Sequence, residues 1–300
     1  MLKLMTTTLT QTSVQTAEID ARAILAHVLC CTSDQLYLHT TTTLQDDQIA
    51  ECNKLVTRRT NNEPIQYITN HAEFMSLPFY VDTNVLIPRP DTETLVETII
   101  ANVGANPNLR LGQAQPVRPI VALDLCTGSG CIAVSLAHYI PNLTITATDI
   151  SPTALIIARK NAVTNKVSKR ITFIQSDIFA ALDATHHNKY DFIVSNPPYI
   201  TASEMKTLAP NVHNYEPHTA LHGGKDGLNF YRIIAQKAKQ YLKPGAPLFL
   251  EIGCEQAQSV TELLHAEGFI NVTITKDLAG LDRVVVGTAA PTVHNPYERR

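Results

Sequence analysis

The tetrapeptide Asn196-Pro197-Pro198-Tyr199 carries the most specific chemistry in the sequence. Two successive prolines lack backbone N–H groups and stiffen the chain. Carbonyl oxygens then remain as acceptors beside the side-chain oxygen of Asn196. Such a set accepts hydrogen bonds from an NH2 group, and an amide or aromatic amine held this way presents its nitrogen to an electrophile. The Tyr199 ring can cover the planar group, or simply pack as an aromatic at a strand end. Proline-rich turns are common in loops, so placement carries the inference. The tetrapeptide follows YDFIVS (190–195), which reads as a strand, and open α/β sheets bind ligands at the carboxyl edge of their strands.

A second ligand-binding pattern is DLCTGSGCIA (124–133), between a strand and a helix. Gly128 and Gly130 let the backbone approach a ligand, and the helix N-terminus supplies free amide donors. Asp149 ends the next strand, where a carboxylate can accept from two neighbouring ribose hydroxyls. It can equally cap the helix that begins SPTAL. SDIF (176–179) places Asp177 and Ile178 where the acid can accept from an adenine amine and the isoleucine can pack on its ring; a helix cap is again the plainer role. Gly128, Gly130 and Ala133 also satisfy G-x-G-x-x-A with an acid about 20 residues further on, so the nicotinamide-dinucleotide pattern is met nominally. The turn alone does not choose the cofactor.

The elements that must hold these groups alternate from residue 119 onward. IVALDL (120–125), TITATDI (144–150), ITFIQSD (171–177), YDFIVS and PLFLEIG (247–253) are short, nearly continuous apolar runs, as strands buried on both faces of a parallel sheet require. Helical patterns lie between them near 131–139, 152–163 and 228–242, with another at 255–267. VTITK (272–276) and RVVVGT (283–288) are joined by too few residues for a crossover helix, which makes the last pair antiparallel. The expected architecture is an α/β doubly wound sheet ending in a hairpin. Residues 1–70 read as a helical domain, with apolar spacing over 17–31 and again after Asp46 and Asp47. Residues 71–90 read as a hairpin and rigid turn, 91–288 as the sheet domain and 289–300 as a loose tail. NPNLRLGQAQPVRP (106–119) reads as an exposed loop.

Composition limits the partners. The 300 residues carry 24 Lys+Arg against 27 Asp+Glu, a formal net charge of −3, which argues against a strongly basic nucleic-acid binder. Residues 1–75 hold five basic and eight acidic side chains, so the remainder is neutral and any steering charge sits on the N-terminal part. No run approaches the roughly 18 apolar residues of a membrane span, and the start lacks the features of a secretion or transit signal. The six cysteines form no C-x-x-C pair or regular framework, so neither zinc nor disulfides are expected and a reducing cytoplasm fits. His213, His218 and His222 share one loop, but their spacing fixes no common face, and no metal site is expected.

Together, DLCTGSG, Asp149, VSNPPYI, VLIPRPDTE, EPHTALHGGKDGLNFYR and LEIG resemble the HemK/PrmC family of protein-(glutamine-N5) methyltransferases over about residues 64–288. Asn-Pro-Pro-Tyr alone also occurs in adenine-N6 and some cytosine-N4 DNA methyltransferases; IPRPDTE and EPHTALHGGKDGL narrow the likeness to the glutamine family. The resemblance implies a seven-stranded Rossmann-like methyltransferase sheet and S-adenosylmethionine as cofactor. It also implies modification of the Gly-Gly-Gln glutamine of class 1 peptide chain release factors, contacted by the N-terminal helices. Cys126, Thr127, Gly128, Ser129, Gly130, Asp149, Asp177, Ile178 and Asn196 would then hold the cofactor. Asn196, Pro197, Pro198 and Tyr199 would hold the glutamine, with Asn196, Pro197 and Tyr199 as the catalytic set. Arg89, between two prolines, either contacts substrate backbone or pairs with an acid. Cys126 stands where many members have glycine, Asp91 where glutamate is usual, Ile178 where some have tryptophan, and Asn70 replaces a usual glycine. A monomer acting on protein is expected, with no nucleic acid and no membrane involved. A nucleic-acid amino-methyltransferase, a nicotinamide-dependent oxidoreductase and a noncatalytic binding module are the competing classes.

Overall fold

The chain begins with helices α1 (Leu2–Gln11), α2 (Ala17–Val28), α3 (Asp46–Thr60) and α4 (Ile65–Thr69) in a computed structural model that describes residues 1–12, 14–39, 43–105 and 118–291. Asp46 and Asp47 open α3 and Arg58 and Arg59 close it, each charge opposing the helix dipole at its end. Met5, Leu9, Ala21, Ile24, Cys52 and Leu55 form the core of this region. The nearly buried pair Arg59–Asp20, at 2.7 Å, ties α3 to α2.

Asn70 ends α4 in the left-handed region, φ +52, and its side-chain NH2 donates to the Val81 carbonyl at 3.0 Å. An amide side chain that braces the turn offsets the missing glycine. The hairpin β1 (Ala72–Phe74) and β2 (Leu77–Phe79) follows, turned by Met75 and Ser76, both at positive φ. The Tyr67 hydroxyl, buried on α4, donates to the Val85 carbonyl at 2.6 Å, which fixes the chain just before Pro88.

Helix α5 (Pro90–Ala105) leads to β3 (Ile120–Leu125), α6 (Cys131–Tyr139), β4 (Leu143–Asp149), α7 (Pro152–Thr164), β5 (Ile171–Gln175) and β6 (Phe192–Ser195). After the short α8 (Pro210–His213) come α9 (Asn229–Tyr241), β7 (Pro247–Glu251), α10 (Ala257–Ala266), β8 (Phe269–Lys276) and β9 (Asp282–Ala289). The large sheet has seven strands in the order β5-β4-β3-β6-β7-β9-β8; the first five run parallel and β9 is antiparallel to both neighbours. Ile120 and Ala122 face α5 and α6, whereas Leu123 and Leu125 face α9 and α10. Alternate residues of β3 are therefore buried on opposite faces, as the apolar run implies. Strand β9 reaches Ala289, so the tail starts later than the expected boundary. Residues 106–117 of the expected loop and 292–300 of the tail lie outside the described residues.

From β3 the chain winds one way to β4 and β5, then returns to place β6 on the other side of β3. That reversal between β3 and β6 is the switch point where the crevice of a doubly wound sheet opens.

Candidate active site

The loops following β3, β4, β5 and β6 meet over this crevice around a cavity of about 670 Å3. Cys126, Thr127, Gly128, Ser129, Asp149, Asp177, Ile178, Asn196, Pro198 and Arg89 all line it. Three expected contacts do not. Gly130, Pro197 and Tyr199 lie outside the lining, each for a different reason.

The two glycines have separate duties. At Gly128, φ +53, a Cβ would meet no atom within 4 Å, so the missing side chain leaves room in the cavity. At Gly130, φ +79 and N-cap of α6, a Cβ would stand 3.0 Å from the Ala158 Cβ and 3.2 Å from its Cα. Gly130 therefore lets α6 pack on α7 rather than touching a ligand. Cys126 has φ +60, a conformation that costs an L-residue roughly 1–2 kcal/mol. Desolvation and the nearby Asp149 carboxylate push its thiol well above the usual range, which makes Cys126 a neutral wall and not a nucleophile.

Asp149 braces the glycine turn. Its Oδ2 accepts from the Gly128 N–H at 2.8 Å and its Oδ1 from the Ser151 N–H at 2.9 Å. Helix α7 is capped by the Ser151 hydroxyl, which accepts from the Ala154 N–H at 3.2 Å, so Asp149 is not its cap. Burial raises the Asp149 pKa and the two backbone donors oppose that rise. Each carboxylate oxygen keeps a lone pair for a diol. Ile178 lines the wall at φ +50, an outlying conformation for a β-branched residue. The Ser176 hydroxyl donates to its carbonyl at 3.0 Å and holds the turn.

Beneath the glycine turn lies a group that the sequence reading passed over. Asp124 is wholly buried; the Thr127 hydroxyl donates to its Oδ2 at 2.6 Å, and its Oδ1 has no partner. Desolvation pushes its carboxyl up to about 7.

Asn196 projects from the end of β6, and its side-chain NH2 donates to the Thr92 hydroxyl on α5 at 3.2 Å. With the nitrogen engaged there, the side-chain oxygen is the atom left for the cavity. Pro197 is buried behind it, while Pro198 reaches the wall. Tyr199 packs against the core shared with α9 and β7, and burial raises its phenol pKa. Its placement matches the packed aromatic rather than the cover over the amide. The segment Leu221–Gly223 is zipped to this loop, with Ile200 N–H donating to Leu221 O at 2.9 Å and Gly223 N–H to Ile200 O at 2.8 Å. A Cβ on Gly223 would come within 2.6 Å of the Tyr199 Cα, so that position admits only glycine.

Arg89 both lines the cavity and pairs with Glu216 at 2.5 Å. The acid is almost fully buried rather than on the surface, and its Oε2 has no partner. Burial raises the Glu216 pKa and the Arg89 guanidinium restrains it. This pair joins IPRPDTE to EPHTALHGG across 127 positions, and periodicity gives no signal of it. His218 and His222 also face the cavity, and the His218 ring approaches the His213 carbonyl at 2.8 Å. Among the described residues no His, Cys, Asp or Glu cluster is placed to hold a metal ion.

Comparison with known proteins decides the family. Residues 1–69 match the PrmC N-terminal domain and residues 113–214 the methyltransferase small domain. Over 279 residues the chain is 38% identical to the release factor glutamine methyltransferase of Geobacter sulfurreducens, covering 93% of this chain and 92% of that one. The chain belongs to the release factor glutamine methyltransferase family. It is also 39% identical to a bifunctional methyltransferase of Rickettsia typhi across 92% of its own length, but spans only 54% of that longer relative. A methyltransferase from Pyrococcus furiosus shares the fold, with a TM-score of 0.50 at 18% identity over 72% of this chain and 91% of that one. Methyltransferases of this fold use S-adenosylmethionine, and the cavity fits it. A carboxylate stands at the end of β4 for a diol, a side-chain-free space lies at Gly128, and Ile132, Ile150 and Ile178 provide apolar wall for a base.

Proposed function

We propose that this release factor glutamine methyltransferase family member transfers a methyl group to the side-chain amide nitrogen, N5, of the Gly-Gly-Gln glutamine in class 1 release factors. Bound S-adenosylmethionine supplies an electrophilic methyl on a sulfonium. The reaction supports translation termination and belongs in the cytoplasm with its substrate. The observation that carries this reading is the direction of Asn196, whose NH2 is tied to Thr92 and whose oxygen is left for the cavity shared with Gly128 and Asp149.

An amide nitrogen is a poor nucleophile because its lone pair is delocalised, and the carboxyl beside Asn196, that of Glu251, is buried outside the cavity lining. Catalysis then rests on positioning. The Asn196 oxygen accepts from the glutamine NH2, orients its nitrogen and accommodates the positive charge that grows on it. The proton leaves after transfer. Asp149, Asp177 and Ile178 hold the cofactor's nucleoside end, and the Cys126–Ser129 backbone carries the rest. Arg89, paired with the buried Glu216, meets the substrate backbone.

The helices of residues 1–69 dock the release factor, and the enzyme works as a monomer without nucleic acid or membrane. Among the described residues no helix is long and apolar enough to cross a membrane. Replacing Asn196 by Ala tests the assignment. Methyl transfer is abolished while cofactor affinity, followed by calorimetry, stays close to wild type. Near-normal turnover by that variant sinks it.

A further inference from the structure

Glu251 ends β7, one step beyond the pairing of Leu250 with Ser195, and so stands beside Asn196. Its side chain is wholly buried and Oε2 has no partner meeting hydrogen-bond geometry. Thr92, 2% exposed, lies between the two. Its hydroxyl oxygen accepts from the Asn196 NH2 at 3.2 Å, which leaves the hydroxyl proton for another acceptor. Glu251 is the buried carboxyl beside this pair, and Thr92 and Asn196 both favour its charged form.

We propose that Glu251, acting with Thr92, is a positioning residue that sets the direction of the Asn196 amide and thereby makes its oxygen the acceptor in the cavity. An ionised carboxylate only accepts hydrogen bonds. Both the Thr92 O–H and the Asn196 N–H must turn inward toward it, and a flipped Asn196 would aim its carbonyl dipole at a buried negative charge. Uncharged neighbours would leave the two amide directions nearly equivalent, and one of them offers NH2 to the substrate's NH2. This inference rests on the reading of Asn196 as the amide acceptor and adds what enforces it.

The charge is costly to keep. Arg283 on β9 favours it, Asp91 on α5 opposes it, and Tyr199, Tyr231 on α9 and Cys131 on α6 are the other titratable groups that face it. Burial outweighs the favourable partners and pushes the carboxyl up to about 7. The carboxylate is thus present above that pH and is protonated as pH falls through it. A protonated Glu251 donates as well as accepts and no longer dictates one amide direction.

The test compares wild type with Glu251→Gln, Thr92→Val and Thr92→Ser in the full chain, using a release factor and labelled S-adenosylmethionine. Glu251→Gln should lower kcat roughly fivefold to tenfold, as expected for a lost charge-assisted orientation. Cofactor affinity should stay within about twofold, a change too small to be a lost contact. The wild-type activity should fall below about pH 7, and the variant's profile should be flat there. At pH 8 the variant should melt no lower than wild type, because a buried charge has been removed. Thr92→Val should show a similar loss of kcat, and Thr92→Ser, which keeps the hydroxyl, should recover most of it. Wild-type kcat with an unchanged pH profile in Glu251→Gln overturns the proposal. So does a loss that tracks a lowered melting temperature while Thr92→Val stays fully active. Normal turnover by Asn196→Ala overturns the underlying amide reading instead, which separates the two failures.

Discussion

Replacing Asp149 by Ala separates the ligand-binding role of the glycine turn from its role in folding. In the protein the carboxylate accepts from Gly128 N–H at 2.8 Å and from Ser151 N–H at 2.9 Å. Both donors border the cavity, so water can replace the carboxylate there, and the stability loss is held to roughly 1–2 kcal/mol. The ligand loses more. Two ribose hydroxyls donating to a carboxylate are charge-assisted bonds of roughly 1.5 kcal/mol each at the lower end. Together they amount to about 3 kcal/mol, or roughly 100-fold in Kd. Calorimetric titration with S-adenosylhomocysteine measures the affinity, and a melting curve without ligand measures the stability. A Kd within threefold of wild type refutes the reasoning, as does a fall in affinity fully explained by partial unfolding.

The two glycines of the turn should respond differently to alanine. Gly130→Ala should destabilise the fold by roughly 2 kcal/mol or more through the Ala158 contact and the positive φ, seen as a lower melting temperature. Gly128→Ala has space around its Cβ, so it should cost stability roughly 1 kcal/mol from conformation alone, while weakening cofactor binding measurably in calorimetry. Cys126→Gly relieves a left-handed backbone at φ +60 but frees the unfolded chain; the two effects nearly cancel, and melting should shift by less than about 1 kcal/mol. The buried carboxyls of Asp124 and Glu251 are both pushed up to about 7. The native state then holds more protons than the unfolded chain between about pH 4 and 7, so these groups lower stability as pH rises through that window. Thermal unfolding at pH 6 and 8 checks this: Glu251→Gln should lose less stability between the two than wild type.

Much of the fold was legible because burial writes itself into residue type. Strand β3 matches its six-residue apolar run at both ends, since each residue from Ile120 to Leu125 meets a helix layer or a neighbouring strand. The C-terminal hairpin was legible from the shortness of its connection. The β1–β2 hairpin was legible from its short apolar segments, but the residues that turn it were not, because Met75 and Ser76 take positive φ without the glycine or asparagine that announces such a turn.

At the site, the motifs located the cavity wall at Gly128, Asp149 and Asn196. Their partners were hidden: Thr92 meets Asn196 across 104 positions and Glu216 meets Arg89 across 127. Periodicity reports which face of its own element a residue occupies and carries nothing about which distant side chain it meets. Gly130 and Tyr199 lie outside the cavity lining for a related reason. Each sits in a ligand-binding motif, but a neighbouring helix or the core behind the strand takes up its inner surface.

The most direct measurement is the fate of a labelled methyl group. The full chain is incubated with labelled S-adenosylmethionine and a class 1 release factor, the same factor with its Gly-Gly-Gln glutamine replaced, or duplex DNA. Mass spectrometry then locates the label. The account predicts one methyl on N5 of that glutamine, none on the replaced factor and none on DNA. Label on DNA, or label on the release factor that survives loss of the glutamine, would contradict it.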